Sequence, residues 1–223
     1  GKWDFAASYQ HHLTDGVSRF DGTAHPILGL VSNAVVSDVV YHQGNWAFGG
    51  RVFSGAITDE GLLENDPTIS AQYLPATLGL MRGGQSHIEW DNQKVSFAVA
   101  LGAANETDTL LGAQTGGLFN LGNGNTVYVD STVQYRVCDS VNLMARATFA
   151  RTNAHAPGQF IVGVSDIESN AFAFGANIGN LEFALAQPLA ITDGALQYAR
   201  ADFDVVKLGD SKYDIVLRDA GIE

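Results

Sequence analysis

The chain has 223 residues, of which 46% are hydrophobic and only 16% are charged, and it contains 25 glycines. This length fits one β-domain, and the composition predicts a surface that is poor in charge or lies against something apolar. The formal net charge of -12 argues against nucleic acid as a partner, because a polyanion would be repelled rather than bound.

The single cysteine, Cys138, excludes an intrachain disulfide and a metal site built from cysteines alone. No run of about 18 apolar residues is present, so no transmembrane helix is expected. The first residues lack the basic and then apolar pattern of a signal peptide, so any export signal would lie upstream of Gly1.

Apolar side chains recur with the two-residue period of a β-strand from the first residues onward. The first predicted strand has two faces, one with Trp3, Phe5, Ala7 and Tyr9 and one with Lys2, Asp4, Ser8 and Gln10. Further strands are predicted near residues 36–42, 45–57, 70–80, 94–104 and 108–119. Outward-facing loops are predicted at 15–27, 58–69 and 153–159. Acidic residues are expected to keep connections hydrated at 58–60, 64–66 and 106–108.

The central part of the chain predicts a hairpin. A tight turn is expected at Gly122–Asn125, followed by a strand with Val127, Val129, Val133, Tyr135 and Val137 on one face and Tyr128, Asp130, Thr132, Gln134 and Arg136 on the other. Past a turn at Cys138–Ser140, residues 141–152 alternate in the same way and place Arg146 on the polar face.

Three charged residues on this polar face, Asp130, Arg136 and Arg146, are predicted to face the lumen of a barrel. As a ladder of opposite charges they have two interpretations. They line a pore and tune passage, or they stabilise a filled interior.

Later strands are predicted near residues 169–178, 180–187, 195–206 and 212–218, with a tight turn at Gly179–Asn180. About 11 strands are therefore expected. Segments of about ten residues with one apolar and one polar face predict an all-β, antiparallel up-and-down β-barrel of outer-membrane type. A soluble β-sandwich, whose strands are shorter, stays the alternative fold.

Aromatic residues cluster toward the ends of the predicted strands, as in Trp3, Trp46, Phe48, Trp90, Phe119 and Phe160. A membrane barrel would use such residues as girdles at the two lipid–water interfaces. Ordinary core or edge packing is the alternative interpretation.

Two blocks of sequence carry a family resemblance. The first comprises Leu101–Gly112, the pair Gly116–Gly117 and the strand Thr126–Tyr135; the second comprises Gly163–Phe172 and Leu185–Gly194. Over residues 94–206 the chain resembles the C-terminal β-domain region of subtilisin-like (S8 family) autotransporter serine peptidases. Ala190 stands where that family usually has a basic residue.

The resemblance implies an outer-membrane β-domain that anchors or helps to export an N-terminal passenger, at the bacterial outer membrane or cell surface. The implied partners are outer-membrane lipid, the upstream passenger domain and the barrel-assembly machinery. Because the peptidase motifs of that family belong to the upstream domain, no catalytic residue is expected in this segment. Such barrels end in an aromatic residue, and the different ending Asp219–Glu223 predicts a barrel that is incomplete within these residues.

Other chemistry is not favoured by the sequence. His11 and His12 are adjacent, so on a strand they point to opposite faces and cannot hold one metal ion. No Gly-x-Ser-x-Gly elbow is present, and Asp202 and Asp204 are expected to be solvated rather than catalytic. The sequence predicts no metal and no cofactor. The alternative function is a soluble extracellular β-domain that serves as a binding or accessory module of a secreted peptidase.

Overall fold

The computed structural model describes residues 1–12, 25–58, 77–112, 122–155, 161–204 and 212–221. Within these ranges the chain is built from β-strands, and the one helical element is a short 3-10 turn, Leu28–Leu30. The strands are β1 (Lys2–His12), β2 (Ser32–Gln43), β3 (Trp46–Thr58), β4 (Thr77–Asp91), β5 (Val95–Thr107), β6 (Asn123–Cys138), β7 (Val141–His155), β8 (Ile161–Val164), β9 (Ile167–Ile178), β10 (Leu181–Asp193), β11 (Ala195–Asp204) and β12 (Lys212–Gly221).

Nine of the strands form one antiparallel sheet in which each strand pairs with its neighbours in the chain. The order is β1-β2-β3-β4-β5-β6-β7-β9-β10, and a second sheet has the order β12-β11-β8. The structure therefore confirms the all-β, antiparallel, up-and-down arrangement. Among the described strands no pairing joins β1 to β10, so the sheet is not closed into a barrel within them.

The second sheet extends the hairpin formed by β9 and β10. Ser165 and Asp166 interrupt the line of β8 and β9, and Gly194, with φ 156°, interrupts the line of β10 and β11. The two interruptions lie side by side, because the Ser165 amide donates to the Ala195 carbonyl at 2.9 Å and the Ala195 amide donates to Ser165 Oγ at 2.7 Å. β11 and β12 thus continue beyond one end of the nine-stranded sheet.

The two ends of the sheet differ in their connections. At the turn end, neighbouring strands are joined by Gly44–Asn45, Asn92–Lys94, Asp139–Ser140 and Gly179–Asn180. At the loop end, the connections are the much longer stretches 13–31, 59–76 and 108–122. Gly44 and Gly179 have φ near +60°, which glycine adopts without steric cost, and the predicted turn at Gly179–Asn180 is confirmed.

Several predicted boundaries are wrong. Gly122–Asn125 is not a turn, because β6 begins at Asn123 and its first residues pair with the last residues of β5. Residues 108–112, predicted as the start of a strand, form a turn in which Asp108, Leu111 and Gly112 all have positive φ. Residues 153–155 belong to β7 rather than to a loop. The predicted loop 58–69 lies outside the described residues apart from Thr58, the last residue of β3.

The fourth strand is also displaced from its prediction. A strand was expected at 70–80, whereas β4 runs from Thr77 to Asp91. The pair Gly83–Gly84 lies inside β4, where a Cβ on Gly83 would come within 2.5 Å of the Ala103 carbonyl and 2.6 Å of the Phe53 ring. Glycine is therefore required there by close packing across strands, so the Gly-Gly pair is no signal of a turn.

Each strand of the large sheet has two chemically different faces. We call the face that carries Val35, Val52, Leu101, Val127 and Phe149 the outer face, and these side chains are all exposed. The opposite, inner face carries buried side chains that include Val36, Arg51, Gln85, Tyr128 and Arg146. The predicted alternation of β6 and β7 is confirmed, but the apolar face is the exposed one.

The larger of two hydrophobic clusters lies on the inner face near the loop end. Its members come from β2 to β7 and from the stretch before β2: Ile27, Leu28, Val31, Ala34, Val36, Phe53, Ile57, Met81, Ala104, Tyr128 and Ala150. Leu189 of β10 packs against the same cluster. Because β2 and β10 are far apart in the strand order yet share this core, the sheet is strongly curled around its inner face.

Candidate functional site

The outer face forms a broad apolar surface, which we call the outer belt. Phe5 and Leu185, on the two edge strands, are 76% and 75% exposed, and Leu101 in the middle of the sheet is 61% exposed. On β6 the belt runs from Val127 to Val137. Ten residue steps of about 3.3 Å give the belt a length of ~33 Å along this strand.

Aromatic side chains border the outer belt at the turn end. The Trp46 ring stacks on Phe48, with centroids 6.2 Å apart, and lies 6.5 Å from Trp90. Trp3 at the start of β1 lies 4.8 Å from Tyr41. Four of the six aromatic residues singled out in the sequence, Trp3, Trp46, Phe48 and Trp90, are thus brought to one end, while Phe119 and Phe160 lie outside the described residues.

The same border contains aromatic residues that were not among the six predicted girdle residues. Phe97 lies 5.8 Å from Trp46 and 5.9 Å from Trp90, and the Lys94 ammonium lies 5.9 Å from the centre of the Tyr135 ring. Their positions in the sequence could have predicted them. Each lies next to a short turn, at a strand position whose side chain points to the outer face.

At the loop end the outer belt is bordered by polar side chains instead. Asn105 donates to Asn125 across β5 and β6 at 2.8 Å, and Asn153 on β7 donates to Asp166 at 2.8 Å. In the register of the sheet, Arg82 pairs with Asn105, Asn105 with Asn125 and Asn125 with Asn153. A polar row therefore crosses β4 to β7 directly above the apolar residues.

Asp166 is the acidic end of this polar row. The hydrogen bond from Asn153, together with the hydrogen bonds and positive charge of Arg151, holds the pKa of Asp166 below its usual value of 3.8. The Arg151 guanidinium contacts the same carboxylate through Nε and Nη2. Since Asp166 lies between β8 and β9, this cluster fixes the position where β9 enters the sheet.

The inner face carries charged side chains in matched pairs. Arg146 donates to both carboxylate oxygens of Asp130, at 2.9 and 3.0 Å, and the Thr148 hydroxyl donates to the same carboxylate at 2.5 Å. On the neighbouring part of the face, Arg51 donates to Asp38 at 2.5 and 3.3 Å. Burial of a charge costs less when a partner of opposite charge lies beside it, and each of these pairs supplies such a partner.

The three sequence-predicted lumen residues have different positions. Asp130 and Arg146 are buried on the inner face and contact each other. Arg136 lies six residues further along β6, next to the turn end, where its side chain is exposed and its backbone amide donates to the Lys94 carbonyl. The predicted ladder is therefore a single ion pair, between Asp130 and Arg146. Arg136 lies near the turn end, away from this pair.

Tyr128 fills the inner face beside these pairs. Its hydroxyl donates to Gln85 Oε1 at 3.0 Å, and its ring lies so close to Gly102 that a Cβ there would come within 2.1 Å of Cζ. His87 covers Gly49 in the same manner, with 2.1 Å from the position of a Cβ to Cε1. Large polar side chains thus lie over glycines of neighbouring strands on the inner face.

Glu106 overturns one expectation. Acidic residues at 106–108 were expected to keep a connection hydrated, but the Glu106 side chain is 1% exposed. It accepts hydrogen bonds from the Thr109 hydroxyl at 3.1 Å and from the amides of Leu111 at 3.1 Å and Gly112 at 2.9 Å. The carboxylate therefore holds the turn that follows β5, where several residues have positive φ.

No metal-binding group appears among the described residues. None of their His, Cys, Asp and Glu side chains form a group of three that could hold a metal ion. Cys138 is exposed at the turn end of β6. In the part of the chain that the structure describes, no helix is long and apolar enough to cross a membrane.

Comparison of the chain with protein families, curated proteins and solved structures finds no match.

Proposed function

We propose that this chain is a β-domain that spans the bacterial outer membrane and anchors an N-terminal passenger at the cell surface. One observation carries the proposal: the sheet exposes large apolar side chains across its outer face and buries the ion pair of Asp130 and Arg146 on its inner face. This distribution is the reverse of the one that water favours, and it is the one that lipid favours.

The cost of the arrangement in water supports this setting. Contiguous exposed apolar patches of more than a few hundred Å² are uncommon on proteins that work in water. Here the exposed apolar residues of β1 to β10 lie side by side on one face, from Phe5 through Val52, Leu101 and Phe149 to Leu185. In contact with lipid chains the same surface has no such cost.

Closure of the sheet is part of the proposal. In lipid, each unpaired backbone group costs several kcal/mol, so the edges of β1 and β10 require partners. The shared packing of Leu189 with residues of β2 to β7 supports a sheet that curls towards closure. We propose that the fold is an outer-membrane barrel in which these two edges are joined, directly or through further strands.

The connections support one orientation. Outer-membrane barrels have short turns on the periplasmic side and long loops outside. The turn end, with its aromatic border of Trp3, Trp46 and Trp90, would then lie at the periplasmic interface. The polar row from Arg82 to Asn153 would lie at the outer interface, at the level of the lipid headgroups.

The anchor and export roles depend on the resemblance to the β-domains of subtilisin-like autotransporter peptidases over residues 94–206. In this role the chain performs no catalysis and uses no cofactor, and its partners are outer-membrane lipid, the upstream passenger and the machinery that assembles barrels. The alternative is a soluble extracellular module that binds a partner through the same apolar surface.

Arginine in place of Val133 tests the membrane setting. Val133 is 48% exposed and lies near the middle of the outer belt. In water, an exposed Val133→Arg change should alter stability by less than about 0.5 kcal/mol. In a bilayer the same change should cost about 2–4 kcal/mol near the midplane.

The chain and its Val133→Arg and Ser140→Arg variants would be refolded into liposomes and titrated with urea, with heat-modifiable migration as the measure of folding. Ser140 is exposed in the β6–β7 turn, so its variant should behave like the native chain. A folded, monodisperse chain in plain buffer, with Val133→Arg harmless in every medium, would favour the soluble module instead.

A further inference from the structure

The stretch before β2 folds into the interior of the sheet. Residues 25–27 lie within a stretch that was expected to be an outward-facing loop, and that expectation is wrong for them. Ile27, Leu28 and Val31 have at most 1% of their surface exposed and belong to the hydrophobic cluster of the inner face. We call His25–Val31 the plug segment.

The plug segment crosses the inner face at the loop end. It shares its cluster with residues of every strand from β2 to β7 and with Leu189 of β10. Two glycines make room for it: a Cβ on Gly55 would come within 2.5 Å of the Val31 side chain, and one on Gly112 within 2.9 Å of the Leu30 side chain. The segment is therefore built into the interior rather than resting on its rim.

His25 holds the plug segment in shape. Its Nδ1 accepts hydrogen bonds from the backbone amides of Ile27 and Leu28, each at 3.1 Å, and its carbonyl accepts the Gly29 amide at 2.7 Å. Asparagine and aspartate side chains accept the amide two residues further on in a similar way in turns. A ring nitrogen that accepts two N–H groups carries no proton, so the bonds require the neutral imidazole.

The His25 side chain is buried and lies beside the hydrophobic cluster of the inner face. Its ring meets the Tyr128 ring edge-on at 5.4 Å. The other charged or titratable inner-face groups on the strands around the cluster are already engaged: Glu106 with its turn, Asp38 with Arg51, Asp130 with Arg146, and His87 with Glu89. A proton on Nδ1 would remove both capping bonds and add a charge beside this hydrophobic cluster.

We propose that the plug segment closes the interior from the loop end and that protonation of His25 releases it. The two bonds exist only while Nδ1 carries no proton, so release would accompany acidification. The use of such a plug in a membrane rests on the proposed function, whereas the capping contacts of His25 do not.

Amide hydrogen exchange in detergent micelles tests the release, because the two amides bound to Nδ1 report on it directly. We expect peptides that cover 25–31 to be protected at about pH 7.5 and to exchange about tenfold or more faster at about pH 5, after correction for the intrinsic rates. Peptides from β6 and β7 should stay protected at both values.

Two variants separate the proton from the packing. In His25→Asn the amide oxygen can accept the same two bonds without titrating, so the plug should stay protected at both pH values. In His25→Ala the acceptor is missing, so the plug should exchange quickly at both. Equal protection of the native plug at both pH values, release of the Asn variant in acid, or simultaneous loss of β6 and β7 would each overturn the proposal.

Conductance in planar bilayers tests the closure itself. A rise on acidification for the native chain, a constant low value for His25→Asn and a constant high value for His25→Ala are expected. Absence of any conductance in the Ala variant would show that the plug does not close a passage. Failure of the proposed function would appear differently, as a chain that never enters the bilayer while its plug still responds to pH in solution.

Discussion

The Arg146 guanidinium on β7 donates two parallel hydrogen bonds to the Asp130 carboxylate on β6, and both side chains are almost fully buried on the inner face of the sheet. If Arg146 is replaced by Met, the Asp130 carboxylate stays buried without its partner, and we expect the free energy of unfolding to fall by about 3–5 kcal/mol. Combining Arg146→Met with Asp130→Asn should recover most of this loss, since a neutral amide is less costly to bury. Urea unfolding in micelles, followed by circular dichroism, measures both.

Arg151 provides the matched control for that experiment. It forms an ion pair with Asp166 as well, but its side chain is mostly exposed. Arg151→Met should therefore change the free energy of unfolding by less than about 1 kcal/mol. Equal effects of the Arg146 and Arg151 substitutions would contradict the burial of Asp130 and Arg146 on the inner face.

Two glycines on opposite faces should respond oppositely to alanine. A Cβ on Gly102 would meet the Tyr128 ring at 2.1 Å, so Gly102→Ala should destabilise the chain by about 1–3 kcal/mol. Gly50 faces outwards and its nearest neighbour, Val39, would be 3.8 Å away, so Gly50→Ala should be neutral or stabilising by about 0.5–1 kcal/mol. Thermal or urea unfolding of the two variants under identical conditions measures both changes in stability. If both substitutions destabilise the chain, or both stabilise it, the two glycines are assigned to the wrong faces.

Asp166 should make the stability depend on acid. Its pKa is lowered in the folded chain, first by the Asn153 hydrogen bond and then by Arg151. A lowered pKa contributes stability above the ordinary value of 3.8, and this stability is lost as the pH falls through the folded value. The free energy of unfolding should thus decline below about pH 4 in the native chain, and that part of the decline should be absent from Asp166→Asn. An unchanged pH profile in the variant would assign the decline to other carboxylates.

The three tryptophans should report one shallow depth in a bilayer. Trp3, Trp46 and Trp90 all lie at the turn end, at the border of the outer belt. Lipids that carry a spin label near the headgroup should therefore quench their fluorescence more strongly than lipids labelled near the end of the acyl chain. A single-tryptophan variant that retains only Trp90 should give the same order of quenching. Stronger quenching by the deep label would place this aromatic border away from the interface.

The alternation of residues predicted the faces of the strands well. In β6 and β7 the period of two assigned Asp130 and Arg146 to one face, and the structure places them there in contact. The same alternation also assigned Arg136 to this face. A two-residue period predicts the face on which a side chain lies, but not how far along the strand it lies. Depth depends on where the strand begins, and the start of β6 was misplaced by the Gly-Asn signal at Gly122–Asn125.

The interior could not be predicted from local pattern. Nothing in the spacing of Ile27 and Leu28 shows that they pack against Phe53 and Met81, which are distant in sequence. Glu106 likewise has the neighbours of a solvated turn, and only the tertiary fold brings it the three donors that satisfy it. A polar side chain can be buried on the inner face only when residues on neighbouring strands bind it. A single sequence does not show which residues these are.

The solitary thiol of the chain stands at the turn end of β6 and is exposed there. Because it is unique in the sequence, it is a built-in reporter of sidedness. A maleimide that is too large and too polar to cross a bilayer should modify Cys138 when the short turns lie on the outside of the vesicle. It should leave Cys138 unmodified when the short turns lie inside. The ratio of modified to unmodified chains then measures the fraction of molecules that insert in each direction.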